Sequence, residues 1–146
     1  VVYVIPLAAG YLLSHPKYNI FKGEISEMRV AGLGPDAIPH SATGFALTAL
    51  VCDTLDTACQ VESASGSLGK LARLCNRNPA LTSFGILAAL TFFWEWGEYR
   101  VHKHEMAQRG DITKINMMWS AEDTARDVVA NLLGWVLALL FRARSK

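Results

Sequence analysis

Four apolar runs decide what this chain can fold into, because each is too long for a typical strand and none alternates apolar with polar residues along its length. The first is Val1 to Leu13, interrupted by Pro6 and Gly10. The second, Ile38 to about Cys59, is rich in Ala, Leu and Thr. The third, Leu81 to Trp96, is uncharged until Glu95, and the fourth, Val128 to Phe141, is apolar except at Asn131 and Gly134. Four helices follow, and the expected fold class is all-α. A chain of 146 residues is the size of one domain, so 1–146 is read as a single helical bundle. Ser14 to Pro39 and Glu62 to Pro79 hold prolines and glycines and read as connectors. The chain opens on Val1-Val2-Tyr3, already inside an apolar run, so the first helix is expected to begin further upstream.

Such helices suit either lipid or a soluble core. A span takes roughly 20 residues, and shorter apolar runs are more often core helices. By that measure the second and fourth runs are ambiguous, and the second carries Asp53 and Asp56 near its end. The third is the best membrane segment: Trp94, Trp96 and Tyr99 gather at one end, where aromatic residues meet headgroups. The fourth stops abruptly at Phe141-Arg142-Ala143-Arg144-Ser145-Lys146, as a cytoplasmic helix end does. Charged residues make up 18% of the chain, below the usual ~25% of globular domains, which shifts the balance towards lipid. The expectation is a polytopic transmembrane helical bundle of about four spans, multi-pass in its membrane, with a soluble four-helix bundle as the alternative. The basic connector with Lys70, Arg73 and Arg77 falls on the same side as the C-terminus, favouring both termini inside.

Some function classes drop out. A net charge of +1 offers no basic surface, so nucleic acid is not an expected partner. Cys52, Cys59 and Cys75 are too few and scattered for a disulfide framework, and no Cys-x-x-Cys or zinc spacing occurs. They read as thiols packed like small apolar groups.

Three polar pairs carry the chemistry. Asp36 and His40 open the second run, Glu95 and Glu98 close the third, and Asp123 and Asp127 open the fourth. Spacings of three or four put both members of each pair on one helix face. In an up-and-down bundle all three pairs fall at the same end, so residues distant in sequence converge at one membrane face. Carboxylates near hydrocarbon are costly and usually mark function. Carboxylates and a histidine from several helices can also hold a divalent metal inside a bundle, at Glu95, Glu98, Asp123, Asp127 and His40. Plainer readings stand beside these. Ser120-Ala121-Glu122-Asp123 fits a capping box, Asp36 ahead of Pro39 fits a helix start, and Glu95 and Glu98 can pair with Arg100, Lys103 or Arg126. Structural pairs and caps, a metal or catalytic site, and a proton or ion path all remain open, and no catalytic residue is assigned. His102 and His104 read as solvated, on a loop. Asp53 and Asp56, roughly 20 Å from His40 at the helical rise, are expected to end the second helix at the other membrane face. Gly134 permits close helix contact and Asn131 a hydrogen bond across it.

Asp36-x-x-x-His40 followed by Gly44-Phe45, then Phe93-Trp94-Glu95-x-x-Glu98-Tyr99, then Asp123-Thr124-x-x-Asp127 leading to Gly134 resembles the YjdF-like family of bacterial inner-membrane proteins. More distantly, Asp127-Val128-Val129-Ala130-Asn131-Leu132-Leu133-Gly134 is similar to a pattern in VanZ-like proteins. The YjdF-like resemblance covers roughly His15 to Leu140. It implies a polytopic protein of the bacterial inner membrane in which the acidic residues and His40 are a shared polar set, and it implies no particular activity. Full members have further N-terminal helices, so the resemblance also implies a truncated chain, or a shortened relative working as a subunit of something larger.

Three functions follow as expectations. The first is a structural or accessory subunit of a larger membrane complex, with the bilayer and other membrane subunits as partners. The second is a metal-dependent membrane enzyme acting on a lipid or polyprenyl headgroup, with a divalent ion activating water or neutralising phosphate. The third is a proton or ion transporter using the same carboxylates.

Overall fold

The computed structural model describes residues 28–60 and 66–144, with isolated positions at 4, 5, 8, 9, 12 and 25. Eight of the thirteen residues of the first apolar run therefore lie outside the described residues. Within them the chain is all-helical, without a strand: α1 (Ala37–Gln60), α2 (Ser67–Asn76), α3 (Pro79–Arg109), a short 3₁₀ turn (Ile112–Lys114) and α4 (Ala121–Arg144). One of these helices, α4, is long and apolar enough to cross a membrane.

Local chemistry sets the boundaries. Ahead of α1, Val30 and Leu33 exchange backbone hydrogen bonds of 2.9 and 3.0 Å. The Ala37 amide then donates to Asp36 Oδ1 at 3.1 Å, and Pro39 sits in the first turn, where its missing N–H costs nothing. Helix α3 starts on Asn78, whose side chain accepts from the Leu81 amide at 3.0 Å, with proline as the next residue. It ends on Gly110, left-handed at φ 64°, whose amide donates to the Met106 carbonyl. At the α4 start the Asp123 amide donates to Ser120 Oγ at 3.1 Å, the first half of the capping box.

Two connectors differ from the expectation. The stretch Glu62 to Pro79 contains α2, because Leu68, Leu71 and Leu74 recur every third residue with Lys70 and Arg73 between them, a helical and not a loop pattern. The loop reading of His102 and His104 is also corrected. No proline follows Pro79 before Gly110, and the helix carries through Gly85 and Gly97, so α3 runs 31 residues and includes both histidines. At about 1.5 Å per residue that is roughly 46 Å, more than the ~30 Å of a hydrocarbon core.

Helices α1 and α4 run parallel in direct contact, and α3 runs antiparallel to both. Along the α1–α4 seam Ser41 Oγ donates to the Ala130 carbonyl at 2.9 Å. Two glycines make the seam possible. A Cβ on Gly134 would lie 2.7 Å from the Phe45 amide nitrogen, and one on Gly44 would lie 3.1 Å from the Asn131 Cα, so neither position accepts a side chain without the helices parting. At the far end the Arg142 guanidinium spans Asp53, at 3.1 Å, and Asp56. The expectation that those aspartates end the helix is corrected: α1 continues past both to Gln60, and the tertiary fold supplies their cation. Helix α3 is joined to α4 by Asn131 Nδ2 donating to Thr91 Oγ1 at 3.2 Å, Trp135 Nε1 donating to Ser83 Oγ at 3.2 Å, and an edge-on Phe84–Trp135 contact.

The interior is built from small residues. Its largest fully buried side chains are Thr48, Cys52 and Ser83, with Ala46, Ala130 and Ala138 around them. Large apolar residues face outward: Leu90, Phe92, Phe93, Trp94 and Trp96 on α3, and Leu133, Leu137, Leu140 and Phe141 on α4, are all exposed.

Candidate functional site

The antiparallel alternation brings the start of α1, the end of the apolar part of α3 and the start of α4 to one end. His40 Nε2 lies 3.3 Å from Asp127 Oδ1, joining α1 to α4. Thr124 Oγ1, one turn before Asp127, donates to Glu95 Oε2 at 2.5 Å and joins α4 to α3. Asp36, Asp123, Glu95 and Glu98 all lie near enough to Asp127 to act on it electrostatically. The sequence-predicted residues are therefore neighbours, in contact through His40–Asp127 and, by way of Thr124, through Glu95.

The ion-pair partners proposed for the glutamates are corrected. Arg126 pairs with Glu122 one turn earlier on its own helix, Arg100 stands 5.3 Å over the Trp96 ring and Lys103 5.6 Å over the Tyr99 ring. Glu98 instead accepts from Trp94 Nε1 at 2.9 Å, again within its helix. Neighbours three or four residues apart are already within reach on a helix surface, so local partners win over distant ones.

The metal set at Glu95, Glu98, Asp123, Asp127 and His40 does not fit the arrangement as placed. Among the described residues no group of three or more His, Cys, Asp or Glu side chains could hold a metal ion. As placed, Glu95 Oε2 accepts from Thr124, Glu98 accepts from Trp94, and His40 is turned to Asp127.

Two buried side-chain atoms among the described residues lack a hydrogen-bond partner: Trp119 Nε1, beside the 110–119 connection, and one oxygen of Glu95 within this cluster. Glu95 is 8% exposed, and its Oε1 is buried without a hydrogen-bond partner. Buried polar atoms are nearly always paired, so this oxygen calls for an explanation. Beside it a cavity of about 260 Å³ runs between α3 and α4, walled by Phe84, Leu87, Phe92, Val128 and Leu132 among others, with Glu95 and Thr124 at its carboxylate end. Sequence reasoning missed Thr124 as the partner of Glu95. The signal was its position beside Asp123 on a face three residues before Asp127.

A second polar cluster lies beyond the aromatic residues of α3. Glu105 accepts from the Asn116 amide at 2.6 Å, the Met117 amide at 3.1 Å and the Asn116 side chain at 3.0 Å. Those backbone N–H groups, Met117 first and Asn116 next, hold its carboxyl below the ordinary carboxylate value. His102 Nδ1 lies 3.2 Å from the Met117 carbonyl and 3.4 Å from the Trp119 amide, and its tautomer selects between donating to one and accepting from the other. This histidine is a loop anchor, not a solvated one. Compared with protein-family models, curated proteins and solved structures, the chain matches none.

Proposed function

We propose that this chain is a multi-pass membrane protein serving as an accessory subunit of a larger membrane complex, with the carboxylate/His cluster locking three helices together at one membrane face. The carrying observation is the inverted distribution of side chains: apart from Leu87, the buried apolar positions hold Ala and Cys, with Thr, Ser and Gly beside them, while many Leu, Phe, Trp and Val side chains are exposed. A soluble bundle places its large apolar residues within. Lipid tails are as apolar as leucine, so membrane helices gain nothing by hiding such residues from lipid and associate through small ones instead. In this reading α1 and α3 span together with α4, and the resemblance to YjdF-like proteins points to a bacterial inner membrane. Basic, leucine-faced α2, with Leu68 and Leu74 exposed, suits a short helix lying in the headgroup region opposite the carboxylate end.

The subunit reading rests on α3. Its Phe92, Phe93 and Trp94 point outward at consecutive positions, all more than half exposed. A helix apolar on all sides is one that lipid or another protein covers. The test is extraction of native membranes with alkaline carbonate, then solubilisation in mild detergent and native electrophoresis. The expected result is retention in the carbonate pellet and migration in an assembly with other chains. Release by carbonate would sink the membrane reading; a lone monomer after mild solubilisation would sink the subunit reading while leaving the membrane one standing.

A further inference from the structure

We infer that the cavity between α3 and α4 is a binding site for a single-chain amphiphile with a primary ammonium headgroup, the alkyl chain lying along the apolar wall and the ammonium donating to Glu95. The inference rests on the membrane reading above, since lateral entry from a bilayer is how such a ligand arrives, but not on the subunit reading.

Three observations converge. The cavity has the right walls: Phe84, Leu87, Phe92, Val128 and Leu132 present hydrocarbon, and the polar pair within it, Asn131 and Thr91, satisfies itself. Its volume of about 260 Å³ is just under the roughly 300–1,000 Å³ usual for small-molecule sites, so it suits one unbranched chain better than a ring system or a pair of chains. Its carboxylate end is formed by a side chain less than a tenth exposed, with one oxygen committed to Thr124 and the other without a donor.

The headgroup follows from charge. Around Glu95 stand Glu98, Asp123 and Asp127, with His40 turned to Asp127. An anionic head would be repelled there. A primary ammonium carries both the complementary charge and three N–H donors, and it pairs with Oε1 once the Glu95 side chain turns that buried oxygen towards the cavity it lines. A quaternary ammonium brings the charge without a donor.

The experiment uses the full chain in nanodiscs and native mass spectrometry, with dodecylammonium and dodecyltrimethylammonium as probes. One equivalent of dodecylammonium should be retained at least about tenfold more tightly than the quaternary probe, the least that a charge-assisted hydrogen bond in a dry site contributes. Glu95→Gln should erase that preference, and Ala88→Trp, which fills the cavity from α3, should abolish retention of both probes. Equal retention of the two probes by the unaltered protein overturns the proposal without any variant being needed. Retention by a folded Ala88→Trp protein overturns it too, by placing the ligand elsewhere. A chain that stays in the carbonate pellet yet shows no preference loses this site alone; a chain released by carbonate loses the membrane setting.

Discussion

Helix α4 meets its two neighbours in opposite ways. Towards α1 it presents Ala130, Gly134 and Ala138, four residues apart, and α1 answers with Gly44, Thr48 and Cys52 at the same interval. Towards α3 it presents Val128 and Leu132 across an open cavity. Small residues on both helices let two backbones approach until carbonyls, hydroxyls and Cα atoms touch, so the α1–α4 seam has one register and no slack. Bulky residues hold α3 away and leave space. The first interface specifies the fold, and the second remains available to a ligand. Polar ties reinforce the contrast: the α1–α4 seam is pinned at both ends, by His40–Asp127 and by Arg142 on Asp53 and Asp56.

The contrast can be broken most directly at the seam. Gly134→Leu should destabilise the protein by about 3 kcal/mol, the top of the usual range for overpacking, because backbone and not a flexible side chain stands in the way. Unfolding in detergent with increasing dodecyl sulfate, followed by circular dichroism, reads this loss. Unchanged unfolding would mean that the seam is not as close as the glycines imply.

Asp127→Ala comes next. Stranding one partner of a buried polar contact costs roughly 1–3 kcal/mol. Here the His40 and Asp127 side chains keep 23% and 11% exposure, which places the expected loss at about 1–2 kcal/mol. The same titration measures it. If His40→Ala in the Asp127→Ala background costs as much as it does alone, the two do not act as a pair.

Adding nearly as many atoms beside the other interface sharpens the comparison. Ala88→Leu extends into the α3–α4 cavity and should change stability by no more than about 0.5 kcal/mol, as surface substitutions do. A loss near that of Gly134→Leu would show that the second interface is as tight as the first.

The smallest effect lies outside both interfaces. Glu105 is a carboxylate held below its ordinary pKa of 4.5, so its contribution is fully present above the unfolded value and lost as pH falls through the lower folded one. The 110–119 connection should stay tied at neutral pH and loosen only on acidification below about 4.5. Hydrogen exchange at the Asn116 and Met117 amides should then quicken relative to α4, and Glu105→Gln should show quickened exchange already at neutral pH. Protection that does not change with acid or with the substitution would remove Glu105 as the anchor.

Helix class, the apolar parts of α1, α3 and α4 and the convergence of the polar pairs at one end were legible in the sequence, because apolar run length and residue spacing are local properties; the polar end of α3 with His102 and His104 was not, because it has no apolar run. The small-residue rows were legible too, since Ala130, Gly134 and Ala138 stand at a helical interval, although only Gly134 and Asn131 drew notice. Helix α2 was hidden by its short length and its glycine- and serine-containing surroundings. The partners of Glu95, Asp53 and Asp56 could not be read, because each lies on another helix and depends on the rotation of both.

By itself the sequence determined that the apolar parts of α1, α3 and α4 are helical, where Pro39, Asn78, Ser120 and Gly110 begin and end helices, and that acidic residues crowd one end. Those outcomes follow from backbone hydrogen bonding and side-chain periodicity, which act over a few residues. Only the tertiary structure decided that α1 lies on α4 in parallel, that Arg142 closes on two aspartates, and that one oxygen of Glu95 is left without a donor beside an apolar cavity. Helix rotation and spacing are settled by how closely two surfaces can approach, and that depends on both surfaces at once.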